Sequence, residues 1–236
     1  LNNLGSVTFA GTLADGTVMT ATSALVDLNK TPVFVPLATP GAATTVKGGS
    51  FGGLFNFVPT PMDTDVTSAD CLWFRPAVLA VRTPATTAAA TNLYTDGWPG
   101  GIKVNASGGL YAAATNVQTG LNLGTPGATG NGVLVFSNGK LNPAVTLTAF
   151  KIVANTVTKI PAANSSFTLV LAPSTGGFSG TFTPTWASPS TTKPAFKGIL
   201  IQKNNIRGGY GFFLSNALSD LDPESGEVSL TARPST

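Results

Sequence analysis

Histidine is absent from this chain of 236 residues, and cysteine occurs once, at Cys71. Without imidazole there is no Ser-His-Asp or Cys-His catalysis, no His-ligated zinc and no histidine pH switch. One cysteine makes neither an internal disulfide nor a thiolate cluster. Charge is scarce too: Asp, Glu, Lys and Arg make up 10% of residues, against about 25% in an average soluble domain. The 13 Lys and Arg outnumber the 10 Asp and Glu by three, but the cations are scattered. The densest group, Lys193, Lys197, Lys203 and Arg207, is spaced at four to six residues. Nucleic-acid affinity follows the number of phosphates neutralised, so this dispersal argues against such a partner. No run approaches the ~18 apolar residues of a membrane helix, so no membrane span is expected. The chain opens at Leu1, with neither Met nor a charged leader segment, which reads as a mature or trimmed form.

Threonine is what the chain has most of, 34 residues, with 27 Gly and 17 Pro. A β-branched hydroxyl side chain suits a half-buried pleated surface and solvates it without charge. Helical periodicity is nearly missing; Ala85 to Thr91 is the one candidate short helix. Short β-branched and aromatic runs bounded by Gly, Pro, Asn and Asp recur instead. They place strands near 5–13, 17–28, 32–37, 50–58, 70–75, 107–113, 119–123, 132–136, 143–153, 166–172, 177–185, 195–203, 209–214 and 226–232. Asp15-Gly16 is the clearest hairpin turn. Residues 76–106 and 186–194 read as irregular. Many short strands without helices between them predict an all-β protein, an antiparallel barrel or sandwich.

Gly49 to Phe57 and Gly177 to Pro184 echo one another as Gly-punctuated, Phe-alternating strands. A duplication would give two similar β halves, 1–115 and 116–236, the alternative being one continuous domain. In 195–203 both faces are partly apolar, which predicts a central strand. Gly209 and Gly211 would let a neighbouring strand or ring approach the backbone closely.

A longer pattern runs through Asp70-Cys71-Leu72-Trp73-Phe74-Arg75-Pro76, Gly108-Gly109-Leu110-Tyr111, Phe167 to Leu171 and Thr175 to Phe182. It continues through Phe196 to Lys203, Gly209 to Leu214 and Ser225 to Leu230. This order resembles the C-terminal repeat-associated domain of large modular secreted proteins of verrucomicrobia and planctomycetes, which carry Ig-like or other β repeats upstream. The resemblance covers about residues 5–232 and is most specific in the C-terminal half. It implies a secreted or cell-surface β module with no known chemistry. The chain departs from the pattern over Asn92–Val104 and in the longer 216–225 loop.

Three groups of residues are candidate sites. Asp220, Asp222 and Glu224 form an acidic loop that could hold Ca²⁺, which takes six to eight oxygens; ordinary solvated turns are the competing reading. Asp63 and Asp65 form a second such pair. Trp98, in a Gly-rich turn, and Trp186, at an expected hairpin tip, could stack on a glycan, or could plug the end of a barrel. Gly-rich segments at 48–53 and 97–101 lack the strand-to-helix context of a phosphate cradle. The two Glu, both in the last thirteen residues, make a paired-carboxylate glycosidase a poor fit.

The favoured expectation is a non-enzymatic extracellular structural or interaction module, with a carbohydrate-binding module as the alternative. Few Lys or Glu are present to block edge-to-edge strand pairing. Self-assembly into a filament or surface layer by edge-strand addition is therefore expected. Its donor would be the N-terminal strand, carrying Leu4, Val7, Phe9 and Leu13, and its partners copies of the chain or neighbouring domains of a surface protein.

Overall fold

The computed structural model describes residues 5–38, 47–77, 93–94, 96–186, 192–215 and 223–233. The protein is nearly all β, in antiparallel sheets, as the alternating sequence predicts. It divides into two compact units, Leu1–Gly109 with Asp220–Pro223, and Leu110–Ser219 with Glu224–Thr236.

The first unit opens with a hairpin of β1 (Ser6–Thr12) and β2 (Val18–Ala24). Its turn is built as the sequence suggests: Asp15 accepts from Thr17 N at Oδ1 and from Thr17 Oγ1 at Oδ2, both at 2.9 Å. Asp side chains that bond two residues onward are the usual reason such turns hold. Four strands follow, β3 (Lys30–Ala38), β4 (Lys47–Phe57), β5 (Val66–Arg75) and β6 (Trp98–Gly108), in sheet order β3-β4-β5-β6. The core is one face of this sheet: Val33, Val35, Leu37, Phe51, Phe55, Cys71 and Trp73. Phe9, Leu13, Met19 and Ala21 of the hairpin segment pack against it, with the Phe9 and Phe55 rings 5.0 Å apart.

The second unit is a curled seven-stranded half-barrel. Its strands are β7 (Gly132–Asn138), β8 (Val145–Leu147), β11 (Phe167–Ala172), β12 (Gly177–Phe182), β13 (Ala195–Ile201), β14 (Gly208–Leu214) and β15 (Ser225–Ala232). The order is β11-β12-β13-β14-β15-β7-β8, and β9 (Phe150–Val153) with β10 (Thr156–Lys159) forms a separate two-stranded ladder. β13 is central, as its two apolar faces predict. The core is phenylalanine-rich: Phe136 stacks on Phe182 at 3.8 Å, and Phe182 meets Phe213 edge-on at 4.9 Å. Glycines make room for these rings. A Cβ at Gly198 would stand 2.5 Å from the Phe178 ring, and one at Gly209 would stand 2.9 Å from it. The ring approach expected at Gly209 is therefore present.

The two Gly- and Phe-bearing echo segments fall in β4 and β12, interior strands of sheets that differ in strand number and order. Several element boundaries depart from the sequence expectation. Residues 98–106, read as irregular, form most of β6, in which Ile102, Val104 and Ala106 alternate with polar Lys103, Asn105 and Ser107. The strand expected at 107–113 ends at Gly108. The strand expected at 119–123 is a single helical turn, α1 (Val117–Gly120). Asn116 caps it by accepting from Thr119 N at 2.9 Å, the standard way to satisfy an orphan helix donor. The segment 143–153 splits into β8 and β9, and β10 follows as an unforeseen strand. The helix expected over Ala85–Thr91 lies outside the described residues.

Candidate functional site

Trp186 is 7% exposed, sits in the core of the second unit, and donates from Nε1 to Gly139 O at 2.9 Å. It offers no open ring face for sugar stacking, and it is the plug that the competing reading describes. Trp98 begins β6 half-buried, edge-on to Trp73 at 4.7 Å and to Tyr94 at 5.3 Å, with the Arg75 guanidinium 5.9 Å from its ring centre. The two tryptophans belong to separate cores.

Asp220 and Asp222 lie outside the described residues. Glu224 accepts from Lys140 N at 3.0 Å, while its own N donates to Ser215 Oγ at 2.9 Å. Its carboxylate thus ties the turn after β7 to the start of β15. Among the described residues no group of three His, Cys, Asp or Glu side chains gathers in ligand geometry, and no helix is long and apolar enough to cross a membrane.

Leu4 lies outside the described residues. Val7 is 3% exposed, and Phe9 and Leu13 pack on the first core. The N-terminal strand is therefore engaged with its own chain, paired along its whole length with β2. A loose donor strand is not what these residues form here.

Among the described residues the most buried charged pair, Arg75 with Asp15, leaves no mark in any sequence motif. Arg75, at the end of β5, donates from Nη1 to Asp15 Oδ2 and from Nη2 to Leu93 O at 2.6 Å. Their side chains are 6% and 1% exposed. The pair fastens the hairpin turn to the sheet.

The second unit holds a cleft of about 580 Å³, lined among others by Asn122, Thr125, Thr129, Asn131 and Arg233. Its polar groups are largely occupied by the chain itself. Asn131 exchanges bonds with Ile152 at 2.8 and 2.9 Å, and Arg233 donates to Thr129 O. It is an anchored loop.

The two edges of the four-stranded sheet differ most sharply in chemistry. On β3, Phe57 N donates to Asn29 O at 2.7 Å, which fixes the parity: Thr31, Val33, Val35 and Leu37 face β4. Lys30, Pro32, Phe34 and Pro36 turn their backbones outward, because alternate residues of an antiparallel strand face its partner. Lys30 N is used by Val26 O, and two prolines have no N–H, so over Lys30–Pro36 Phe34 alone presents an outward donor. Proline on an edge is a standard block to further pairing.

On β6, Gly108 faces β5: its O accepts from Asp65 N at 2.9 Å and Thr64 Oγ1 at 2.5 Å. The bulge between Ser68 and Cys71 adds its residue to β5, so β6 alternates regularly from Ile102 to Gly108, with Val104 and Ala106 also toward β5. The second register shift, between Trp73 and Arg75, puts its extra residues in β6 before Ile102. Lys103, Asn105 and Ser107 therefore turn N–H and C=O outward, and all three are exposed. β6 is the last strand of its sheet, so among the described residues no strand pairs on that side; the Asn105 side chain accepts from Asp70 N at 3.1 Å through Oδ1. The one charge on this stretch, Lys103, meets Asp70 at 3.1 Å on the sheet's open face.

No family model, no curated protein and no solved structure matches the chain.

Proposed function

We propose that the protein is a non-enzymatic structural or interaction module, and that it joins other chains by strand addition at the free edge of β6. The observation that carries this reading is the contrast between the sheet's two edges. Over Lys30–Pro36 β3 keeps one outward donor beside two prolines, whereas from Lys103 to Ser107 β6 offers three successive outward residues with no proline among them. An edge of that kind is a template for main-chain pairing, and affinity in such pairing comes mainly from the backbone. The scarcity of charge supports the same reading, as does the lack of histidine for the side of it that excludes catalysis. A secreted or cell-surface setting, with a place in a filament, surface layer or adhesive protein, rests on the Thr-rich neutral composition. It rests also on the likeness to C-terminal domains of modular secreted proteins.

The test transfers the β3 device to β6. Asn105→Pro removes an outward N–H together with the Asp70 N–Asn105 Oδ1 bond to β5. Asn105→Ala, which loses only that side-chain bond, is its control and is expected to associate like the wild type. Sedimentation velocity of the full chain over a wide concentration range is expected to show association for the wild type and none for Asn105→Pro. A wild-type chain that stays monomeric throughout would overturn the reading.

A further inference from the structure

We infer that the partner strand at β6 is β6 of a second copy, paired antiparallel about a two-fold axis through Asn105. This rests on the edge-addition reading and adds the partner and its register. Outward residues must meet outward residues for both backbones to be satisfied. A two-fold pairing therefore centres on one of the five residues from Lys103 to Ser107. Centring on Val104 puts Ser107 opposite Gly101, which has a positive φ and lies beside the register shift at the start of β6. Centring on Ala106 puts Lys103 opposite Gly109, past the end of the strand. Centring on Lys103 places it opposite its own copy, and like charges directly opposite one another destabilise a sheet pair. Centring on Ser107 runs the pairing past Gly108, where β6 ends, and leaves Lys103 without a strand residue opposite. Centring on Asn105 uses all three: Asn105 faces Asn105 of the second copy, and Lys103 faces Ser107 of the second copy at both ends. Each such pair exchanges both of its backbone bonds.

The same register matches the side chains. Val104 falls opposite Ala106 of the second copy on the core face, continuing an apolar surface. On the other face Lys103 meets a neutral serine and keeps Asp70 as its counter-charge. The product is one continuous sheet ordered β3-β4-β5-β6-β6-β5-β4-β3. Both of its ends are the proline-bearing β3, so growth through this sheet stops at two copies.

Disulfide trapping reads the register directly. Hydrogen-bonded antiparallel pairs hold their Cα atoms about 5.5 Å apart, inside the roughly 4.4–6.8 Å that a disulfide spans. The native Cys71 is fully buried and does not interfere. Under mild oxidation Asn105→Cys should give a covalent dimer on non-reducing gels. Lys103→Cys mixed with Ser107→Cys should also cross-link, in a background that keeps Asn105. Lys103→Cys alone should not, because its copies would lie about 13 Å apart at about 3.4 Å per residue. A wild type that dimerises while Asn105→Cys stays uncrosslinked, or while Lys103→Cys alone cross-links equally well, overturns the two-fold register and leaves edge addition standing. A chain that is monomeric and uncrosslinked overturns both.

Discussion

Arg75 reaches Asp15 across 60 positions of sequence, and both side chains are almost completely buried. The pair joins the tip of the first hairpin to the far end of β5. The Arg75 Nη2–Leu93 O bond at 2.6 Å draws in a third segment. Removing one partner of a buried pair leaves the other charge without compensation, which typically costs about 3–5 kcal/mol. Asp15→Ala should therefore lower the stability of the first unit by that order, read as a lower urea midpoint. Lys30→Ala, which breaks the solvent-screened, exposed pair with Asp27, should barely move the midpoint. Equal shifts for the two variants would contradict the assignment of Arg75 and Asp15 as the principal tie.

Gly198 lies where the Phe178 ring and the Tyr210 carbonyl both press on the backbone. Gly198→Ala should cost about 1–3 kcal/mol through overpacking. Gly11, in β1, has nothing within 4 Å of a built Cβ and an ordinary φ. Gly11→Ala should be neutral, or stabilising by up to about 1 kcal/mol, by restricting the unfolded chain. Thermal melts of the two single variants check the sign of each change.

How much of this could be read from sequence depends on what kind of signal each residue leaves. The half-barrel was legible because Phe196 and Val228 alternate with small or polar neighbours, while Leu200 and Phe213 lie in short apolar runs bounded by turn residues. The ring approach at Gly209 was legible from glycine inside a strand pattern. β6 was not: its core-packed residues, Val104 and Ala106, are small, Ile102 is 40% exposed, and three glycines and a proline lie within the strand. The edge that carries the proposed function is thus the strand with the weakest alternation. Trp98 and Trp186 were visible as tryptophans, but burial depends on what packs over them, which no local pattern encodes. The Arg75–Asp15 pair was invisible for the same reason, since neither residue sits in a motif that names its partner.

Trp186 fills space in the second core and satisfies its own indole N–H at Gly139 O. Trp186→Ala should cost about 3–5 kcal/mol, as truncation of a buried aromatic does. Trp98→Phe keeps an apolar ring against Trp73 and should change stability much less. Chemical denaturation separates the two.

Tyr111 donates from its hydroxyl to Pro173 O at 2.8 Å, and desolvation by burial raises its pKa above the ordinary 10.0. The folded chain therefore holds this proton more tightly than the unfolded chain. Its contribution is fully present below about pH 10 and is lost as pH rises through the folded value. Wild type minus Tyr111→Phe should show a stability difference that is flat to that point and then declines. A difference that grows with alkalinity would contradict the sign.

The central claim is that the free edge of β6 is a joining surface. Sedimentation velocity of wild type beside Asn105→Pro, at matched concentrations, tests it most directly. The expected result is a concentration-dependent dimer for the wild type and a folded monomer for the variant. Unchanged association in Asn105→Pro, or a wild type that never associates, would contradict it.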